Sequence, residues 1–240
     1  MTGVLALHGG GEYVAGDEAA MDALVAAAVD AASREGDGVV PRIVLVPTAA
    51  AGGRPDLAAA NGERAFAAAA SRARVPVEIG IAGILSRSDA ADPRVLGPLE
   101  AAHLVHFPGG DPDRIPAVLA GSPAWAALLR AHAGVCVLAG ASAGAMALAG
   151  RCWTPGGVIE GLGLLPGYAV LPHDGPGRLE RWSAAGGDTA WLGLAEQTLV
   201  IGRPGGAWTV SGRGRARVVT SDGRETAGGP AGSTIVLPAP

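Results

Sequence analysis

One serine in this sequence stands where a nucleophile would stand. Ser142 lies at the centre of the segment "GASAG", between the apolar run "CVLA" and an Ala-rich stretch. A G-x-S-x-G pattern between a strand and a helix is the nucleophile-elbow signature, in which small neighbours let the serine hydroxyl project from a strained turn. The simpler alternative is a tight turn that contains a serine by chance.

A serine hydroxyl needs a base, and the composition limits the choice. All 18 basic residues are arginines, which excludes Ser-Lys dyads, Schiff-base and pyridoxal phosphate chemistry and phosphate-loop lysines. Histidine must therefore be the base. We favour His173, because it follows an apolar run and opens a Gly/Pro turn. His8, after the first predicted strand, is the alternative; a structural role accounts for the other three: His103, His106 and His132.

A third group should orient the imidazole, and backbone N–H groups should stabilise the oxyanion. Glu160 is the only acid between Ser142 and His173, and we choose it over Asp174 and Glu196. Since Ala143 would open the helix after the elbow, its N–H is one candidate oxyanion donor. Gly109-Gly110 offers unobstructed N–H groups for the second.

The elements that must position these residues alternate between strand and helix types. Predicted strands and helices follow one another up to residue 150, and short alternating runs separated by Gly-rich turns follow from Leu192. The predicted strands are Val4–Leu7, Ile43–Val46, Val77–Ile81, His103–Phe107 and Val135–Leu138, and the predicted helices are Asp17–Arg34, Asp56–Arg74, Asp92–Ala101 and Pro123–Ala133. This order predicts an α/β fold: a mostly parallel sheet with helices on both faces, extended or capped by antiparallel C-terminal strands. Glycine clusters after three strands point to a common crevice at the carboxyl ends of the strands.

Bulk composition narrows the class of protein. The 240 residues are 49% apolar, with a net charge of −4 and two cysteines. They predict a single domain over 1–240 that neither spans nor binds a membrane, and scattered arginines argue against nucleic acid as a partner. The N-terminus lacks a secretory signal pattern, so we expect a cytoplasmic protein. No clustering at metal-ligand spacing is evident, and we expect no metal and no organic cofactor.

Four ordered segments resemble one enzyme family. They are "FPGGDPDRI", "GASAGAMALAG", "GLGLLPGYAVLPHDGPGRLERW" and "GLAEQTLVIG" with the strands that follow it. They are similar to the Gly-Gly-Asp/Asn segment, the nucleophile turn, the segment leading to the catalytic histidine and the C-terminal strands of the serine peptidases that include cyanophycinase and aspartyl dipeptidase (peptidase E).

The resemblance implies a three-layer, flavodoxin-like scaffold related to class I glutamine amidotransferases. It implies Ser142 as nucleophile, His173 as base and a glutamate near Glu160, with oxyanion donors at Gly110 and Ala143. Relatives of this kind often form homodimers. They cleave small peptides or isopeptides with an aspartyl or β-aspartyl residue, which suggests that three side chains orient such a substrate: Asp111, Arg178 and Arg181.

The sequence also departs from the family pattern. The polar pair expected before the histidine is Leu171-Pro172, and the glutamine expected after Gly-Gly-Asp is Pro112. Cyanophycin itself is thus a doubtful substrate, and a small acidic dipeptide fits better. Two other functions stay open at this point: a non-catalytic binding or scaffold protein with the same fold, and a small-molecule esterase.

Overall fold

The computed structural model describes residues 3–178, 182 and 188–237. These residues form a mixed α/β fold with two β-sheets. The strands are β1 (Leu5–His8), β2 (Arg42–Leu45), β3 (Glu78–Ile81), β4 (Leu104–Phe107), β5 (Val137–Ala141), β6 (Ala149–Thr154), β7 (Gly157–Glu160), β8 (Leu165–Leu171), β9 (Ala190–Leu194), β10 (Thr198–Gly202), β11 (Ala207–Gly212), β12 (Arg215–Val219), β13 (Glu225–Pro230) and β14 (Thr234–Val236). The α-helices are α1 (Glu18–Ser33), α2 (Pro55–Ala73), α3 (Pro93–Glu100), α4 (Arg114–Leu119), α5 (Pro123–Ala133) and α6 (Ala143–Leu148).

The first sheet has eight strands in the order β14-β11-β10-β1-β5-β4-β2-β3. Its five N-terminal strands pair in parallel, and β10, β11 and β14 extend it with antiparallel pairs. The sheet is therefore mixed: its N-terminal strands are parallel and its C-terminal strands antiparallel, where the sequence predicted a mostly parallel sheet with antiparallel C-terminal strands.

Helices cover both faces of this sheet, as predicted. Along β1, Leu5 and Leu7 lie in one buried cluster while Ala6, between them, lies in another. The first cluster includes side chains of α3, α5 and α6, and the second includes side chains of α1 and α2. Because successive strand residues point to opposite faces, apolar residues at consecutive positions require a cover on each side.

The second sheet was not predicted, because the sequence pattern indicated C-terminal strands that extend or cap a single sheet. Six strands pair in the order β13-β12-β9-β8-β6-β7, with parallel β6/β8 and β8/β9 pairs and antiparallel pairs elsewhere. Short alternating runs reveal that strands exist but not which partners they choose, because pairing depends on long-range register. One buried cluster contains side chains of both sheets.

Single elements were predicted with varying accuracy. Helix α5 matches the expected Pro123–Ala133 residue for residue, and the short alternating runs after Leu192 include strands β10 and β11. Strand β5 begins two residues later than predicted and extends through Ala141, directly against the serine. In the described part of the chain, no helix combines the length and the apolar character needed to cross a lipid bilayer.

Candidate active site

Ser142 occupies a strained turn between β5 and α6. Its backbone has φ 48° and ψ −112°, a combination that a residue with a side chain rarely adopts. The flanking glycines permit this turn. A Cβ on Gly140 would lie 2.4 Å from the Gly144 carbonyl carbon, and a Cβ on Gly144 would lie 2.1 Å from the Phe107 oxygen. The expected turn from strand into helix is present, and its serine is strained between two glycines that steric contact requires.

The second sheet supplies the partner of this serine. His173 lies two residues after the end of β8, and its Nε2 is 3.0 Å from Ser142 Oγ. Its position is fixed by its own backbone, since its N–H donates to the Gly9 carbonyl at 2.7 Å and its φ is 54°. Each sheet thus contributes one of these two hydrogen-bonded side chains, from a position beyond a strand end.

Glu196 completes a hydrogen-bonded chain through the imidazole. It lies in the turn that joins β9 to β10, and its Oε1 is 2.8 Å from His173 Nδ1. A carboxylate can only accept this bond, so Nδ1 carries the proton and Nε2 keeps a lone pair toward the Ser142 hydroxyl. That tautomer is the one a general base needs.

Glu160, the acid chosen from the sequence, does not reach His173. It is an exposed residue of β7, where it pairs in register with Arg151 of β6. Strand β7 is an edge strand, and β6 separates it from β8, the strand that leads to His173. Proximity in the chain was the wrong criterion, because the connecting strands turn Glu160 away. Glu196 lies instead in the turn between β9 of the second sheet and β10 of the first, and only the pairing of these strands brings it to His173.

Asp174, the other acid considered, has a structural partner. Its two carboxylate oxygens accept hydrogen bonds from Arg217 Nε and Nη2 at 2.9 and 3.0 Å. The Asp174 and Arg217 side chains are 3% and 13% exposed. This bidentate pair ties the segment after His173 to strand β12.

His8, the alternative base, is fully engaged in the core. Its Nδ1 accepts the Gly10 N–H at 3.1 Å, and its Nε2 donates to Asp17 at 2.7 Å. His106 is likewise buried, with Nδ1 2.8 Å from the Tyr13 hydroxyl. Desolvation and then the nearby His8 lower the pKa of His106 to about 3, so it stays neutral at physiological pH. The favoured base, His173, is the one hydrogen-bonded to the Ser142 hydroxyl.

The two segments expected to supply oxyanion donors border Ser142. Ala143 is the first residue of α6, where a helix has N–H groups without intrahelical acceptors. A Cβ on Gly109 would stand 3.3 Å from Ser142 Cβ, which places the Gly109-Gly110 segment against the serine. No described residue accepts a hydrogen bond from the Gly110 N–H, whereas the Gly109 N–H donates to Glu12 Oε1 at 2.8 Å.

The expected substrate-binding residues have different surroundings. Asp111 is 48% exposed and lies 3.6 Å from Arg114, and it accepts the Asp113 N–H. Arg178 is close to the candidate site, with Nη1 3.5 Å from the His173 carbonyl oxygen and its guanidinium carbon 5.9 Å from the centre of the Trp182 ring. Arg181 lies outside the described residues.

The loop after β1 covers the candidate site. From the sequence, this loop was predicted only as one of the glycine clusters that border the crevice. A Cβ on Gly10 would lie 2.3 Å from Cε1 of His173, and a Cβ on Gly11 would lie 3.7 Å from a carboxylate oxygen of Glu196. Glycine at position 10 thus lets the backbone approach the imidazole ring. Glu12, the next residue, is a site residue that the sequence analysis missed, since its contact with Gly109 spans 97 positions.

Among the described residues, no group of three or more His, Cys, Asp or Glu side chains is arranged to hold a metal ion.

Comparison with known proteins identifies the fold. No protein-family profile matches the chain, and no curated protein matches it significantly. Among solved structures, a peptidase from an acI-B1 actinobacterium superposes with a TM-score of 0.79 at 24% identity, over 99% of this chain and 98% of that one. A protein from Listeria monocytogenes EGD-e, whose name assigns it to peptidase E, superposes with a TM-score of 0.56 at 14% identity, over 88% of this chain and 98% of its own. The chain therefore shares its fold with structures named as peptidases.

Proposed function

We propose that this protein is a serine peptidase that hydrolyses small peptides or isopeptides through an acyl-enzyme on Ser142. The observation that carries the proposal is the continuous contact from Ser142 Oγ to His173 Nε2 at 3.0 Å and from His173 Nδ1 to Glu196 at 2.8 Å. Nucleophile, base and orienting acid in this order form the arrangement that activates serine in hydrolases. The peptidase names of both structural neighbours support peptide hydrolysis.

The reaction follows from this geometry. Ser142 Oγ attacks the substrate carbonyl carbon while its proton passes to His173 Nε2, and the Glu196 carboxylate stabilises the imidazolium. The N–H groups of Gly110 and Ala143 receive the oxyanion. The C–N bond then breaks as Nε2–H protonates the leaving amine. A water molecule, deprotonated by His173, next attacks the acyl carbon, and the bond to Ser142 Oγ breaks as His173 returns the proton to this oxygen.

We further propose that the substrate carries an acidic residue, aspartyl or β-aspartyl. The Arg178 guanidinium lies beside the His173 backbone and against an aromatic ring, and a guanidinium suits bidentate capture of a carboxylate. Arg181 belongs to this proposal through the family resemblance. Asp111 has a smaller part in it, because its carboxylate already contacts Arg114 and the backbone of its own turn.

A hydrolysis panel with two serine variants tests the proposal. Wild type, Ser142→Ala and Ser33→Ala are incubated with α-aspartyl dipeptides, β-aspartyl dipeptides, neutral dipeptides and simple esters. Ser33 is a matched control, because its hydroxyl bonds only to the Asp30 carbonyl on an exposed helix surface. We expect cleavage of an aspartyl substrate by wild type and Ser33→Ala, and a loss of at least about 10³-fold in Ser142→Ala.

The outcomes separate the remaining alternatives. Cleavage of esters alone would make the protein an esterase, and no turnover with any substrate would favour a binding protein. Undiminished cleavage by Ser142→Ala would refute the nucleophile. Equal rates on neutral and acidic dipeptides would refute the proposed substrate class while leaving the mechanism intact.

A further inference from the structure

Glu12 has no part in the reaction proposed above, yet its carboxylate lies at the edge of the candidate site. A Cβ on Gly109 would lie 2.8 Å from Glu12 Oε1 and 3.3 Å from Ser142 Cβ, so the carboxylate and the serine both border Gly109. The same oxygen accepts the Gly109 N–H at 2.8 Å. Among the described residues, no other side chain makes a hydrogen bond to the Gly109-Gly110 segment.

This segment needs external support because it has no side chains of its own. Gly110 has φ 150°, a conformation that favours glycine, and a Cβ there would lie 2.3 Å from the Ala49 carbonyl oxygen. That same oxygen accepts the Asp111 N–H at 2.8 Å. The segment is therefore held at both ends: the Ala49 carbonyl binds the Asp111 N–H after Gly110, and Glu12 binds the Gly109 N–H before it. Gly110, the proposed oxyanion donor, lies between these two contacts.

Glu12 lies in a loop that is anchored by hydrogen bonds to buried side chains. The Asp17 carboxylate accepts the Tyr13 N–H at 3.0 Å and the His8 Nε2–H at 2.7 Å, and the Asp17 and His8 side chains are each 2% exposed. The Tyr13 hydroxyl bonds to buried His106 on the other side. Tyr13, the residue next to Glu12, is thus held at both its backbone N–H and its hydroxyl. This restricts the position of the Glu12 carboxylate, as a positioning group requires.

We propose that Glu12 is a positioning residue for the oxyanion hole. By accepting the Gly109 N–H, its carboxylate fixes the Pro108–Gly109 peptide plane. This is the plane before the one that carries the Gly110 N–H, and holding it keeps that N–H directed at the oxyanion. The inference rests on the proposed function, since it assigns Gly110 to the oxyanion of the same reaction. It requires an acceptor oxygen with the reach of a glutamate side chain, and it does not require the negative charge.

That requirement can be tested with two variants, because a positioning role and an electrostatic role predict opposite rankings of their activities. Glu12→Gln keeps an acceptor oxygen at the same reach but loses the charge. Glu12→Asp keeps the charge but shortens the side chain by one C–C bond, about 1.5 Å. A positioning role predicts that the Gln variant is fast and the Asp variant slow, whereas a purely electrostatic role predicts the reverse.

The experiment measures the rate at which a fluorophosphonate labels Ser142, since its P=O oxygen occupies the oxyanion position, together with kcat and KM on an aspartyl dipeptide. We expect Glu12→Gln to label within about threefold of wild type. Glu12→Asp and Glu12→Ala should be about 10- to 100-fold slower, with the loss in kcat and KM little changed, because one displaced oxyanion donor costs up to 10²- to 10³-fold. Glu18→Ala is the matched control, since this exposed glutamate accepts the Gly16 N–H at the other end of the same loop.

Thermal melting shows whether each variant is folded, and the Gln/Asp pair decides the question if Glu12→Ala is not. A Gln variant as slow as Ala, or an Asp variant as fast as wild type, would overturn the positioning role. So would a faster Glu12→Ala, which would mean that the carboxylate blocks an oxyanion donor. An unlabelled wild-type protein would instead refute the nucleophile, and this inference with it.

Discussion

Replacing Glu196 by glutamine separates the acid seen in contact with the imidazole from the acid expected from the sequence. Glu196→Gln keeps the shape of the side chain and removes the charge opposite His173 Nδ1, 2.8 Å away. The pair is open to solvent, with side chains 65% and 33% exposed for Glu196 and His173. The substitution therefore withdraws an attraction that water partly screens and leaves the rest of the site in place.

The magnitude follows from that exposure. Two unit charges about 4 Å apart attract by about 1 kcal/mol in water and about 4 kcal/mol near a protein surface. A loss between these limits corresponds to a rate decrease of about 5- to 10³-fold, and we expect about 10²-fold. This is less than the roughly 10⁴-fold cost of the same change in a buried triad, because the exposed Glu196 is already partly solvated.

The assay compares kcat and KM of wild type, Glu196→Gln and Glu160→Gln on the same aspartyl dipeptide. Glu160→Gln is the matched control, as an exposed glutamate on edge strand β7 that makes no contact with His173. We expect the decrease in kcat for Glu196→Gln alone, because the imidazolium forms only along the reaction. Equal losses in both variants, or a Glu196→Gln enzyme within twofold of wild type, would refute the reasoning.

Two further predictions concern the groups around the triad. Gly10→Ala should lower kcat by at least about 10-fold, because a Cβ there would lie 2.3 Å from the His173 ring. Gly38→Ala controls for backbone strain, since Gly38 also has a positive φ but has open space around it. Equal losses in both variants would contradict the steric argument. In the folded protein the pKa of His106 is lowered to about 3, so the imidazole stays neutral until the pH falls to that value. In the unfolded chain a histidine binds a proton below about pH 6.5. The unfolded state therefore gains protons first as pH falls, and urea unfolding should show wild type losing about 2 to 3 kcal/mol more than His106→Gln between pH 6.5 and 4.5; parallel losses would contradict this.

The local parts of the site were predictable because local sequence determines them. The elbow around Ser142 needs small neighbours at fixed offsets, and the pair Gly140 and Gly144 meets that need within five residues. The candidate base could be narrowed to His173 and His8, since lysine is absent and structural roles account for the other three histidines. Helix α5 was predicted residue for residue because a serine cap and a proline mark its start and a glycine follows its end.

The missed parts depend on contacts between distant segments. The sequence contains the runs that form β6 to β9 but nothing local that assigns them to a second sheet, so the loss of Glu160 and the gain of Glu196 could not be read from spacing. Glu12 was overlooked for the same reason, because its role appears only when the loop after β1 meets the segment after β4. Such contacts follow from strand order and register, which periodicity does not encode.

The most direct test of the central claim is to locate the fluorophosphonate adduct by mass spectrometry. Trypsin cleaves after Arg130 and Arg151 and releases peptide 131–151, in which Ser142 is the only serine. We predict that wild type carries the adduct on this peptide and that His173→Gln does not, because the hydroxyl then lacks its base. An adduct on another peptide, or equal labelling of Ser142 in the two proteins, would contradict the claim that His173 activates Ser142.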